Sequence, residues 1–265
     1  MKRKSAKTFQ RFLLLATFLG FFAFGALSAR AQTNSCAAFY TMAAGAYNVQ
    51  TNYWNQGTCP GSQCLNISGN GDFTVTGNFN CAPTVATYPS IYYGCHYGNC
   101  TAGTNLPMQV SSLNCVTSSW SFSPTNSGSW DAAYDIFLTP SSNTSNGPTG
   151  GAEIMIWLDY MGNVPPAGSQ VGTVSIDGMS FTLWEGNIGW NYIAYLANSK
   201  TTSVSNLNIL NFIKDSVSRG YVQNSWYLDV IEAGNEFRTG GLPFTSSGFS
   251  ASVNNGCSGG GGNPP

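Results

Sequence analysis

Short segments rich in Val, Ile, Thr, Tyr, Phe and Trp recur along the chain between clusters of Gly, Asn, Ser and Pro. This is the pattern of antiparallel strands joined by turns. It predicts strands at Ala46–Trp54, Asp72–Asn78, Ser118–Phe122, Ala132–Leu138, Ala152–Tyr160, Gly172–Val174, Met179–Glu185, Asn191–Leu196 and Trp226–Gly234. One stretch departs from the two-residue period. Leu207, Leu210, Ile213 and Val217 repeat at helical spacing, with Gly220 as a stop, so a single helix is expected on an all-β body.

The two ends read differently. Lys2, Arg3, Lys4, Lys7 and Arg11 precede an apolar run from Phe12 to Leu27, and Ala29-Arg30-Ala31 then supplies small residues two apart. That order predicts a secretory signal over 1–31. Beyond Val253, Asn254-Asn255-Gly256-Cys257-Ser258 leads into a glycine run and Pro264-Pro265, a composition that reads as a flexible tail over 254–265. The remainder, 32–253, is expected to be one domain.

Removing the signal changes the charge balance. Only Lys200, Lys214, Arg219 and Arg238 then remain against eleven acidic residues. Such a surface repels nucleic acid and anionic membrane, so neither is an expected partner. A charge-poor chain rich in hydroxyls, amides and aromatic rings suits a neutral, hydroxylated ligand such as carbohydrate. All eight cysteines lie after the signal, which agrees with an oxidising, extracellular destination. His96 is the single histidine, and nothing has the spacing of a zinc site.

The chemistry concentrates in three strands. In Glu153-Ile154-Met155-Ile156-Trp157-Leu158, alternation puts Glu153, Met155 and Trp157 on one face and the aliphatic residues on the other. A carboxylate beside a thioether and an indole is a reactive group next to a sugar-stacking platform. Trp226–Gly234 runs on into Asn235-Glu236, with Glu232 and Glu236 on one face of a straight strand. Asp135, inside the apolar run Ala132–Leu138, needs a partner for its carboxyl. Glycoside hydrolysis uses two carboxyl groups flanking the scissile bond, one protonated and one ionised.

With these motifs in hand, the chain resembles glycoside hydrolase family 12 from Cys36 to about Val253. The family's nucleophile strand matches Glu153-Ile154-Met155-Ile156-Trp157, and its Gly-x-Glu acid/base segment matches Gly234-Asn235-Glu236. The assisting aspartate maps to Tyr134-Asp135-Ile136-Phe137, and the cleft tryptophan to Trp54 of Asn52-Tyr53-Trp54. The resemblance implies a β-jelly-roll sandwich of two antiparallel sheets, with one helix and an open substrate groove.

It further implies catalysis by Glu153, Glu236 and Asp135, with Asp135 hydrogen-bonded to Glu153. Substrate binding would fall to Asn52, Trp54, His96, Tyr97, Met155 and Trp157. Disulfides Cys36–Cys64 and Cys95–Cys100 are implied too, whereas Cys59, Cys81, Cys115 and Cys257 can pair in three ways. The expected activity is that of a secreted, monomeric, retaining endo-β-1,4-glucanase acting on β-glucan polysaccharide and needing no cofactor or metal. A xyloglucan-specific enzyme of the same family, or a non-catalytic glucan-binding jelly roll, is the alternative. Two departures stand out. Phe237-Arg238 replaces the proline that usually follows the acid/base, and Glu232 stands where glutamine is common, which makes it the rival acid/base.

Overall fold

The computed structural model describes residues 32–255 and 257. The expected signal, and the expected tail apart from Asn254, Asn255 and Cys257, lie outside these residues. The strands in chain order begin with β1 (Thr33–Ser35), β2 (Thr41–Ala44), β3 (Tyr47–Gln50), β4 (Gly61–Ile67), β5 (Phe73–Phe79) and β6 (Ser90–His96). The short β7 (Asn99–Cys100) and β8 (Met108–Gln109) follow, then β9 (Val116–Ser123), β10 (Ser129–Thr139), β11 (Ala152–Met161) and β12 (Ser169–Ile176). Last come β13 (Met179–Asn187), β14 (Asn191–Ala197), β15 (Ser203–Asn208), the helix α1 (Ile209–Ser218), β16 (Tyr227–Thr239) and β17 (Phe244–Val253).

These form a jelly roll of two sheets. The smaller runs β1-β4-β5-β17-β9-β15, and the larger β12-β13-β14-β11-β10-β16-β6-β3-β2, with β7 on β6 and β8 on β16. The pairing is antiparallel except between β11 and β14, which run parallel and set Ala152 beside Asn191. Every residue of β10 is buried, because it is central in the larger sheet and covered on both faces. Alternation divides its side chains: Tyr134, Ile136 and Leu138 join Trp120, Ile154 and Ile156 in the core, while Ala133 and Phe137 face the other way, each into a smaller apolar cluster.

The helix begins two residues later than its apolar repeat, because Leu207 still pairs with Ser118 as part of β15. Its inward face places Phe212 edge-on to Phe181 and Tyr195, with ring centroids 5.2 and 5.1 Å apart. Gly220, at φ +82°, ends it: its N–H donates to the Val217 carbonyl and that of Tyr221 to the Ser216 carbonyl, satisfying two otherwise orphaned acceptors.

The first predicted strand is interrupted. Asn52 adopts φ +38°, a left-handed conformation that β pairing cannot accommodate, so β3 stops at Gln50 and the chain turns Trp54 outward. All eight cysteines pair: Cys36–Cys64 and Cys95–Cys100 as the resemblance implied, and Cys59–Cys81 and Cys115–Cys257 among the remaining four.

Candidate active site

β10 is the spine of the site, and its cross-strand partners fix which carboxyls meet. Asp135 stands opposite Met155 of β11 and Glu232 of β16, Phe137 opposite Glu153, and Asp131 opposite Glu236. Directly paired residues share a face, so these side chains all project away from the core. Above them lies a groove of about 900 Å³, lined by Asp135, Glu153 and Glu236 together with Gln50, Asn52, Trp54, Tyr88, His96, Tyr97, Trp157, Trp190, Tyr192 and Arg238. Glu153 and Glu236, brought from two separate strands, thus open into one space.

Each glutamate is held by one strong donor. Trp190 Nε1 donates to Glu153 Oε2 at 2.7 Å, and Arg238 Nη2 donates to Glu236 Oε2 at 2.7 Å. Burial raises the Glu153 pKa to about 7; the Trp190 hydrogen bond works against that rise, and the charge of Glu236 adds to it. Asp135 is raised well above the usual carboxylate range, first by burial and then by the charges of Glu153, Glu232 and Glu236. Asp135, Glu153 and Glu232, all raised by burial in one patch, cannot all ionise at little cost.

The expected hydrogen bond from Asp135 to Glu153 is not formed among the described residues, and Asp135 Oδ1 is left without a partner. The register gives the reason: Met155, not Glu153, lies directly across from Asp135. Trp190 takes the place that sequence reasoning gave to Asp135. Met155 is 2% exposed and lies beneath the groove wall, where the Tyr192 hydroxyl donates to its Sδ at 3.2 Å. Trp157 is 1% exposed and presents little surface, its ring lying 5.6 Å from the Arg238 guanidinium. Trp54, 51% exposed, and Tyr97, 49% exposed, are the open aromatic surfaces expected of sugar platforms.

Glu232 is fully buried and does not line the groove. Its Oε2 accepts from Gln50 Nε2 at 3.0 Å and from Ser90 Oγ at 2.9 Å. Burial raises its pKa to about 8, the two hydrogen bonds pulling the other way. His96 lies 3.5 Å from Glu232 Oε1, but burial lowers its pKa to about 4, so the imidazole is neutral at neutral pH and the contact is no ion pair there. A buried carboxyl separated from the groove by Gln50 and His96 is less well placed to protonate a leaving group than Glu236, which lines it.

Sequence reasoning missed Gln50, Tyr88, Trp190 and Tyr192. Trp190 ends the turn Asn187-Ile188-Gly189, and only the parallel pairing of β14 with β11 sets it beside Glu153. No local pattern carries that information.

A two-sheet jelly roll with carboxyls and aromatic rings along a groove in its larger sheet defines a class of polysaccharide-cleaving enzyme. The match to the model of glycosyl hydrolase family 12 spans residues 45–254, and the chain belongs to that family and is a glycoside hydrolase. The chain is 41% identical to the solved endoglucanase cel12A from Rhodothermus marinus, with a TM-score of 0.80 over 83% of this chain and 98% of that one. It is 35% identical to the probable cellulase Cel12b of Mycobacterium tuberculosis over 57% of this chain and 99% of the relative. It is 31% identical to the xyloglucan-specific endo-β-1,4-glucanase A of Emericella nidulans over 91% of this chain and 99% of the relative.

Proposed function

We propose that the protein is a secreted endo-β-1,4-glucanase that hydrolyses internal bonds of cellulose or related β-glucans with retention of configuration. The observation that carries this reading is the convergence of Glu153 and Glu236, from strands on opposite sides of β10, in one open groove beside exposed aromatic rings. Glu236 donates its proton to the glycosidic oxygen while Glu153 attacks the anomeric carbon, forming a glycosyl-enzyme. Glu236 then takes a proton from water, whose oxygen displaces Glu153 and restores the original configuration. Asp135, in the same patch, adjusts the charge on Glu153 rather than hydrogen-bonding it.

A groove of about 900 Å³ flanked by exposed Trp54 and Tyr97 suits the binding of a glucan polymer. Four disulfides suit an oxidising compartment, and among the described residues no helix is long and apolar enough to cross a membrane.

The test is release of reducing ends from carboxymethylcellulose, barley β-glucan and xyloglucan, with viscosity followed in parallel and the first-formed anomer read by NMR. Glu153→Gln and Glu236→Gln, both checked for folding, should each lower kcat on the preferred glucan by a factor on the order of 10³. An inverted first product would refute the double displacement. Glucan binding without cleavage by the folded parent would replace the reading with that of a binding module.

A further inference from the structure

The strand that carries Glu236 also carries Arg238, and this cation is almost completely enclosed at 3% exposure. Its Nη1 donates to Asp131 Oδ2 at 2.8 Å and its Nη2 to Glu236 Oε2 at 2.7 Å. Asp131 lies directly across from Glu236 in the sheet and is fully buried. Asp131 Oδ1 is buried with no hydrogen-bond partner among the described residues, and two acceptor-only carboxylates facing each other there are relieved if one proton is shared between them. One guanidinium, two carboxyls and one proton make a neutral cluster; with the proton gone it carries one net negative charge in a poorly solvated place.

We propose that Asp131 and Arg238 are positioning residues that form a proton-sharing clamp with Glu236, holding one proton between two carboxyls and orienting the acid/base toward the leaving oxygen. This rests on the reading of Glu236 as acid/base. The reaction asks two opposed things of that group. It must hold a proton until the glycosidic bond breaks, and then persist as an anion able to accept one from water. A lone arginine would favour only the anion. Asp131 divides the guanidinium charge, so the proton is retained in the resting site. After it passes to the leaving oxygen, Arg238 faces two carboxylates and steadies both until water returns a proton to Glu236. Burial holds Asp131 well above the usual carboxylate range, which agrees with a carboxyl that keeps part of the proton.

The other groups whose charge couples to Glu236 are Asp135 on β10, Glu153 on β11, Tyr88 before β6 and Tyr192 on β14, none of them cationic. Arg238 is therefore the positive charge that sets the balance among the described residues of this cluster. It also explains the departure at Phe237-Arg238: the backbone continues in β16 to Thr239 and delivers the guanidinium under Glu236, next to Trp157.

The experiment is the pH dependence of kcat/KM on barley β-glucan for the parent, Asp131→Asn, Arg238→Met, Arg238→Lys and the Asp131→Asn/Arg238→Met double variant. The alkaline limb reports loss of the shared proton. Asp131→Asn leaves the full guanidinium charge on Glu236 and should move that limb down by about one pH unit. Arg238→Met leaves two carboxyls with no cation and should move it up by a similar amount, while the double variant should return toward the parent. Arg238→Lys keeps the charge and should hold the limb near the parent's at a lower kcat. Should Arg238→Met fail to fold, the near-isosteric Asp131→Asn alone fixes the sign. Limbs that coincide in all folded variants, with only a pH-independent loss of rate, overturn the clamp.

A parallel assay separates this from the reading beneath it. Glu236→Gln should fail on β-glucan yet still cleave an aryl β-cellobioside whose leaving group needs no proton. If it does so while the limbs stay fixed, the clamp alone is wrong. If it cuts β-glucan at the parental rate, both ideas fall.

Discussion

One hydrogen bond works against burial in the ionisation of the proposed nucleophile. Burial raises the Glu153 pKa to about 7, and the Trp190 indole, donating at 2.7 Å, is the main influence opposing that rise. Trp190→Phe keeps an aromatic ring, though a smaller one, and removes the donor, so the Glu153 pKa should climb further. A nucleophile must be ionised, and the acidic limb of kcat/KM should therefore move to higher pH by about one unit, the worth of a hydrogen bond to a charged group. An acid limb that stays in place in the folded variant would show that Trp190 only fills space. Among single residues, Glu153, Glu236 and Asp135 stand out as candidates because each sits in a motif within one strand, and Trp54 because of the motif Asn52-Tyr53-Trp54 in the turn after β3. Asp131 and Trp190 do not, since each gains its role from a partner on another strand: Glu236 lies across from Asp131, and Glu153 lies beside Trp190 through the parallel pairing of β11 and β14.

At the scale of elements, strands dominated by apolar residues announce themselves and others do not. β11 and β14 are mainly apolar, apart from Glu153, Asp159 and Asn191, and their expected bounds end within one residue of the observed ones, whereas β6, buried on almost every residue yet containing Ser90, Gly94 and Cys95, shows no alternation. β17 is rich in Ser and resembles loop sequence, but pairing with β5 and β9 makes it a strand to Val253. The disulfides divide between holding the fold and holding the groove. Cys115–Cys257 spans 142 residues and Cys95–Cys100 spans five, so chain-entropy arguments assign them about 5 and about 2 kcal/mol. Yet the short one encloses His96 and Tyr97, with Tyr97 at φ +45° and lining the groove. Replacing Cys115 and Cys257 by serine should lower Tm substantially with little change in KM. Replacing Cys95 and Cys100 by alanine should lower Tm less and raise KM for glucan several-fold. Equal effects of both pairs on KM would refute this division of labour.

For the molecule as a whole, the site has a cost that depends on pH. Glu153 and Asp229 are raised to about 7, Glu232 to about 8, and Asp131 and Asp135 well above the ordinary carboxylate range, in every case chiefly by burial. The folded protein therefore binds more protons than the unfolded chain between the ordinary carboxylate values near 4 and the raised values near 8. Where the native state holds the extra protons, stability falls as pH rises, so this contribution is fully present near pH 4 and is lost on the way to pH 8. His96, lowered to about 4, acts in the opposite sense below about 6.5, but it is one group against five. The same carboxyls thus make the fold most stable on the acidic side of the range in which Glu153, raised to about 7, is ionised for attack. Calorimetric Tm at constant ionic strength should be several degrees higher at pH 5 than at pH 8. Glu232→Gln, which removes one raised carboxyl away from the groove lining, should reduce that difference. A Tm that rises steadily from pH 5 to pH 8 would mean that the carboxyl cluster enters the folded state already ionised, stabilised by interactions stronger than its burial.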